Sequence, residues 1–424
     1  MIRSSKHSLK FANIGKRAAV AAFMLLYRQA VQFSIDFIWS HQLQYKESVF
    51  NIQTDQLNLP LFLDYKLLDY QGSLSARAFC SALEQARGMV SAATQKRKQV
   101  LFIRDQKIAE GKAFGKLQAL LDGKYQLKKP SAAKVRAELS NKCIDFEFAD
   151  REQDAGKLRH FDLFIRIKST GMEHIRLPLK LTKPFIKRKD WAICAGVSIA
   201  ENGVILRQEK ETPTLRTEGE VLGADKGMLT VLSLSDKQQT QPDKHGHTFA
   251  SIAHKLERKK KGSKAFRRAQ EHRLNYINWS IKQLNFDGVR KLNLEINNFS
   301  GSKMSRFLSH NAHAAIDNKL LNLLEELGVQ VAGKSSAFKS QRCYGCGWVQ
   351  KKNRKGKEFC CVLCGYACDS DVNAALNNSL DELPEIPYWA VSCKLNRKGF
   401  LWKEGEPLRD LQGQEIRVPA PVEG

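Results

Sequence analysis

A multidomain α+β protein is predicted from three changes of pattern along 424 residues. Apolar residues first recur at helical spacing, then come in short alternating runs, and finally mix strand-like and helix-like stretches around a cysteine cluster. A chain of this length can bury more than one core, so roughly two to four domains are expected.

The helical pattern runs from about Asn13 to Glu138. Val20, Phe23, Met24, Tyr27, Val31, Ile35 and Ile38 recur at three- and four-residue intervals, as on a buried amphipathic helix. Ala18 to Leu26 (AAVAAFMLL) follows basic residues as a signal peptide would, but Tyr27 and Arg28 come next, with no small-residue cleavage site. No unbroken apolar run approaches the roughly 18 residues of a membrane span. A cytoplasmic protein is expected, with no membrane partner.

After about Arg159 the period changes to that of strands. His160 to Lys168, Ile175 to Leu181 and Trp191 to Ile199 predict a small β-barrel or sheet, to which Met1 to Phe11 could add a strand. Val221 to Leu234 then reads as strand, turn, strand. Lys255 to Asn285 reads as charged helix and Leu292 to Ile296 as strand. Ala314 to Leu327 is a helix with Ile316, Leu320, Leu323, Leu324 and Leu327 on one face, and a short helix begins near Asp371. The tail from Leu380 holds five of the 11 prolines and is expected to wrap or dangle.

A formal charge of +25 implies a polyanionic partner, a nucleic acid or an acidic membrane surface. The excess is spread out. Lys96 to Lys142 holds 13 basic against four acidic residues, and Lys255 to Arg273 holds nine against two. A solvated helix face does not require such one-sided charge, whereas phosphate contact does. Lys259, Lys260, Lys261, Lys264, Arg267 and Arg268 are therefore candidate nucleic-acid contacts.

Ten cysteines do not suggest disulfides in a chain of this size read as cytoplasmic. Cys80, Cys143, Cys194 and Cys393 are scattered, as small buried hydrophobes would be. Cys343-x2-Cys346 and Cys361-x2-Cys364, each pair followed by glycine, instead have the spacing of a structural Zn²⁺ site. Four sulfurs leave no position for water. Cys360 adjoins Cys361, but its three-residue gap to Cys364 favours Cys361. Lys339 to Lys357 contains seven basic and no acidic residues, with Lys351, Lys352 and Arg354 as further candidate phosphate contacts.

Three carboxylates complete the pattern. Asp225 follows an apolar strand in VLGADKG, Glu295 ends the alternating LNLEI, and Asp371 opens DVNAALN, a small-residue helix able to approach a sheet closely. Singly, each could be a turn residue or an ion-pair partner. Brought together they would repel, which makes Mg²⁺ or Mn²⁺ the natural partner and phosphodiester hydrolysis the natural chemistry.

The order strand Asp, strand Glu, four-cysteine ribbon and D-x-N-A-A (Asp371, Asn373, Ala374, Ala375) resembles the RuvC half of the transposon-encoded TnpB proteins and the compact type V CRISPR effectors. KLERKKKGSKAFRRA (Lys255 to Ala269) and SQRCYGCG (Ser340 to Gly347) strengthen the resemblance, which is specific from about Val221 to Asn378. It implies a wedge β-barrel over 1–12 and 156–218, a helical recognition domain over 13–155, and an RNase H-like nuclease core over 219–338 and 368–380. A target-binding zinc ribbon would occupy 339–367 and a tail 381–424. It also implies cleavage of DNA chosen by pairing with a bound guide RNA, with guide RNA and target DNA as partners; the sequence leaves monomer and homodimer both open. Asp225, Glu295 and Asp371 fall on the family's metal-binding acids, and Cys343, Cys346, Cys361 and Cys364 on its zinc ligands. Two departures remove no ligand. Lys226 follows the first acid where an apolar residue is common, and SSAFKSQ replaces a proline- and threonine-containing lead-in. Asp369 lies two residues before Asp371 but does not fit D-x-N-A-A. A guided repressor without cleavage, a zinc-ribbon DNA-binding protein and a guide-independent RuvC-like nuclease are the competing readings.

Overall fold

The computed structural model describes residues 1–44, 70–109, 129–148, 161–170, 173–227, 229–296, 310, 312–384, 386 and 394–416, and the statements below concern these. They fall into two units, Met1–Lys210 and Glu211–Gly424. The break comes earlier than the expected 218/219 boundary, because strand β8 (Gly203–Glu209) is the last strand of the first unit's sheet.

In the first unit, helices α1 (Ile14–Gln44) and α2 (Ala76–Ala109) pack together. All seven positions that set the helical period of α1, from Val20 to Ile38, are buried. Ile14–Ser40 is nevertheless long and apolar enough to cross a membrane. Counting unbroken apolar residues does not reveal this, because Arg28 and Asp36 interrupt the run. Arg28 pairs with Glu201 at 2.5 Å, and Tyr27 donates to Gln85 and to the Glu138 carbonyl.

β1 (Ile2–His7) pairs antiparallel with β8, and the sheet continues through β7 (Val197–Ala200) to β2 (Ala137–Leu139), with β6 (Ala192–Ile193) also on β8. β3 (Ile144–Phe148), β4 (Leu163–Thr170) and β5 (Glu173–Leu179) form a second antiparallel sheet. Two expectations change here. β2 and β3 lie inside the span 13–155 expected to be helical, since AEL and IDFEF are too short for their alternation to stand out. And the pairing divides the strands between two sheets, with the turn Asn141–Cys143 carrying the chain from one to the other. Helices and both sheets share one apolar core, so helical and strand parts are not separate domains. Residues 110–128 of the first basic run, and His160, lie outside the described residues.

The second unit is built on the sheet order β10-β9-β11-β12, comprising β9 (Glu220–Asp225), β10 (Ser233–Leu234), β11 (Val289–Ile296) and β12 (Gln330–Ser335). β9, β11 and β12 run parallel and β10 antiparallel. After a short helix α3 (Lys183–Ile186) in the first unit, α4 (Phe249–Glu257) and α5 (Lys264–Ile281) lead into β11, and α6 (His313–Leu327) crosses from β11 to β12. Ile316, Leu320 and Leu324 of α6 are fully buried, as their spacing predicts. β11 departs from simple alternation: Leu292, Leu294 and Asn293 are all buried, so both of its faces are covered. Asp381 accepts from the Asn293 amide nitrogen at 2.8 Å and pairs with Lys291 and Lys334.

α7 (Ser370–Ser379) lies directly on β9. A Cβ at Gly223 would fall 2.0 Å from the Ala375 carbonyl oxygen, so only glycine permits this approach. Buried Ala374 and Ala375 complete the close contact, and Asn378 donates to the Ala224 carbonyl at 3.0 Å, beside Asp225.

Candidate metal centres

The parallel register sets Leu294 opposite Ala224 and brings Glu295 alongside Asp225, and the two carboxyl groups are hydrogen-bonded to each other. Burial, the charge of Glu295 and this shared hydrogen bond, and then the charge of Asp371, push the Asp225 carboxyl well above its usual range, with Arg354 opposing. Asp371, in the first turn of α7, is buried at 4% exposure and touches the turn after β9, where a Cβ on Gly227 would sit 3.0 Å from its Oδ2. Asp225 and Glu295 thus meet, and Asp371 acts on Asp225 through its charge, but the three carboxylates do not all lie within 4.8 Å of one another, and Asp371 is held by cations. Lys357 Nζ donates to its Oδ2 and, at 3.1 Å, to Thr230, while Arg354 lies 3.5 Å from its Oδ1. Asp369 is the N-cap of α7, accepting from the backbone of Asp371 at 2.9 Å and Val372 at 3.2 Å. Its carboxylate is occupied in starting the helix.

Lys226 has a structural account. Its side chain is 2% exposed and pairs with Asp317 of α6 at 2.7 Å, where a charge could not remain buried alone. Burial and then the Lys226 charge push nearby His313 down to about 4.

The cysteine ribbon interrupts this unit between β12 and α7. Its four sulfurs, of Cys343, Cys346, Cys361 and Cys364, lie within 4.8 Å of one another, with Cys343–Cys364 and Cys346–Cys361 at 3.6 Å. Sulfurs about 2.3 Å from a tetrahedral Zn²⁺ lie about 3.8 Å apart, so the set fits that ion. Gly347 and Gly365, both at positive φ, close each knuckle by donating to the Cys343 and Cys361 carbonyls at 2.9 Å. Exposed Cys360 is not among the converging sulfurs. The backbone of Tyr366 brings the Cys364 thiol down to about 7, whereas burial pushes Cys343 up.

β13 (Trp348–Val349) pairs with β17 (Phe400–Leu401), so the tail wraps the ribbon. β14 (Arg354–Lys355), β15 (Glu358–Cys360) and β16 (Ala367–Asp369) form its basic finger. Amides tie ribbon to helix: Asn373 and Asn377 each donate to the Arg342 carbonyl at 2.8 Å, and buried Arg342 donates to Asn377 and to the Trp402 carbonyl. Among the candidate phosphate contacts, Lys260, Lys261, Lys264, Arg267, Arg268, Lys351 and Lys352 are exposed, and Lys259 is half-buried. Arg354 is also exposed but reaches Asp371. Sequence reasoning missed the meeting of Lys357 with Asp371, because a finger lysine gives no signal of which acid it will face. It also missed a third set of donors, Asp243, His247 and His272.

Residues 313–378, from α6 through the ribbon to α7, match the family model described as Cas12f1-like, TNB domain. The chain is 35% identical over 83 residues to the CRISPR-associated endodeoxyribonuclease Cas12f1 of Sulfoacidibacillus thermotolerans, covering 19% of this chain and 20% of that protein. It is 25% identical over 253 residues to InsQ of Escherichia coli strain K12, an RNA-guided DNA endonuclease by name, covering 51% and 60%. The chain thus spans between a fifth and three-fifths of the length of these relatives. Its fold is similar to that of Cas12f1 in a complex with sgRNA and target DNA, with TM-score 0.53 and 16% identity over 87% of this chain and 84% of that one. The chain is thus similar, over 313–378 and in its fold, to the compact type V CRISPR effectors and to the TnpB-like InsQ.

Proposed function

We propose that this chain is an RNA-guided DNA endonuclease whose reacting centre is Asp225, Glu295 and Asp371. The observation that carries the reading is the pairing of Asp225 of β9 with Glu295 of β11, with Asp371 of α7 near enough to act on Asp225 by its charge, on a sheet whose order and directions suit an RNase H-like core. The names of its relatives and the fold shared with a guide-and-target complex support guide RNA and target DNA as partners. Met1–Lys210 would supply the recognition and wedge parts, and 339–367 the target-binding ribbon.

The donor chemistry suits Mg²⁺ or Mn²⁺, with Asp371 drawing in toward the other two carboxylates to share an ion. The carboxylates are hard oxygen donors, and they are crowded enough that Asp225 resists ionising. Bound there, such ions would lower the pKa of an attacking water and polarise the phosphodiester. Asp225 and Glu295 would hold one side of the site and Asp371 the other. α7 fixes Asp371 through the Asp369 cap and the close packing at Gly223. Lys357 and Arg354 are placed to meet the anionic backbone that enters. Cys343, Cys346, Cys361 and Cys364 would hold a structural Zn²⁺ that shapes the finger carrying them.

The test separates chemistry from grip. Asp225→Ala, Glu295→Ala and Asp371→Ala should each lower target cleavage by about a thousandfold or more, the loss of several kcal/mol of transition-state stabilisation. RNA and target binding, measured on the same samples, should stay within about twofold, because the basic surface carries them. A variant that still cuts near the parental rate would remove that acid from the centre.

A further inference from the structure

We propose that Asp243, His247 and His272 form a second transition-metal site, distinct from both the ribbon sulfurs and the acid centre, that fastens the turn before α4 to helix α5. The first two donors come from one tight turn. Asp243 Oδ1 accepts from the backbone of His245 and His247, each at 2.9 Å, and Gly246 donates to the Asp243 carbonyl at 2.8 Å. Gly246 adopts a φ of 74°, which lets the turn close so abruptly. The free side of the carboxylate, Oδ2, faces His247 Nδ1 at 3.1 Å.

The third donor comes from α5. His272 meets His247 edge-on, with ring centroids 4.8 Å apart and planes at 84°. One ligand atom from each of the three residues lies within 4.8 Å of the other two. Donors about 2.0–2.1 Å from a tetrahedral ion lie about 3.4 Å apart, so the Asp243–His247 edge already has the required length and His272 needs only a small side-chain adjustment. Two imidazoles and one carboxylate select a borderline divalent ion, Zn²⁺ foremost, over the Mg²⁺ or Mn²⁺ suited to carboxylates alone. A fourth position is left to water or to exposed His245, whose ring centroid is 6.0 Å from that of His247.

The placement gives the ion something to do. Tyr276, one turn beyond His272, donates to the Gln241 carbonyl at 2.8 Å, so turn and helix are already held at one further point. The same segment carries Gln239, which donates to Asp369, the cap of the helix that bears Asp371. An ion at the turn would therefore stiffen the connection between the basic α4–α5 hairpin and the helix under the acid centre.

The test uses the full chain without a histidine tag, with ribbon Zn²⁺ in place, titrated with Co²⁺ and read by metal content and absorption. One further Co²⁺ per chain is expected at micromolar affinity, with ligand-field bands and no thiolate charge-transfer band. His247→Ala and His272→Phe should lose it by at least tenfold in Kd. The phenylalanine keeps the edge-on ring contact while removing the nitrogens, so a folded His272→Phe protein isolates the ligand role. Co²⁺ should raise the melting temperature of the parent and not of His272→Phe. Uptake that appears only at millimolar Co²⁺, that is equal in both variants, or that brings a thiolate band would overturn the proposal and leave an adventitious ion only.

Discussion

Two anionic clusters in the second unit are handled in opposite ways. The ribbon sulfurs converge within 4.8 Å of one another, and each knuckle is closed by its own glycine. The carboxylates come from three distant elements and do not close up in the same way: Asp225 and Glu295 share a hydrogen bond, while Asp371 is matched by Lys357 and Arg354. A thiol set made by local spacing is shaped for one permanent ion. A carboxylate set made by long-range packing stays open, its charge balanced by side chains that can give way. On the proposed reading, the first cluster holds shape and the second exchanges cations and substrate.

That contrast can be broken at several points. The largest effect is expected at Cys361→Ser, which should remove ribbon zinc altogether and unfold the finger, since structural zinc supplies about 10–16 kcal/mol in small zinc domains. Metal analysis and limited proteolysis of 339–367 check this, and retained zinc would mean that Cys361 is not a ligand. Lys357→Ala should tighten Mg²⁺ binding by roughly fivefold, because a half-exposed ion pair competes with the metal for Asp371 at a cost of about 1 kcal/mol. Calorimetric Mg²⁺ titration reads it, and unchanged affinity would show that the ammonium is no competitor.

A smaller effect is expected from Asp225→Asn. The folded chain holds the Asp225 proton more tightly than the unfolded chain does. This carboxyl therefore supports folding below the ordinary carboxylate range and loses that support as pH rises through its elevated folded value. In Mg²⁺-free buffer with ribbon zinc kept, Asp225→Asn should raise the melting temperature by about 2–4 °C at pH 8 and leave it unchanged at pH 4. A lower melting temperature at pH 8 would contradict the crowding of the acids. The smallest effect belongs to Cys360→Ala, whose exposed thiol lies off the sulfur cluster; zinc content should not change, and stability should shift by no more than about 0.5 kcal/mol.

What was legible in the sequence follows the range of the interactions. The Cys343–Cys346 and Cys361–Cys364 spacing is local chemistry and could be read directly, down to the choice of Cys361 over Cys360 as the sulfur that joins the cluster. The faces of α1 and α6 were legible because many residues repeat one period. Strands β2 and β3 were not, because three to five residues carry too little pattern. The burial of both faces of β11 depends on α7, far along the chain, and alternation alone could not show it. Lys226 read as a departure, and its partner Asp317 explains it only once α6 is seen against β9. The Asp243, His247 and His272 set escaped notice because its third donor comes from a different element.

The central claim is guided cleavage at the acid centre, and a guide swap tests it most directly. Protein stripped of RNA is refilled with one of two guides and offered both matching DNA targets, with Asp371→Ala carried in parallel. The account predicts no cutting by the stripped protein, cutting only of the target that matches the loaded guide, and binding without cutting by the variant. Stripped protein that cuts as well as refilled protein, or a cut that ignores the swap, would make this an unguided RuvC-like nuclease and contradict the account.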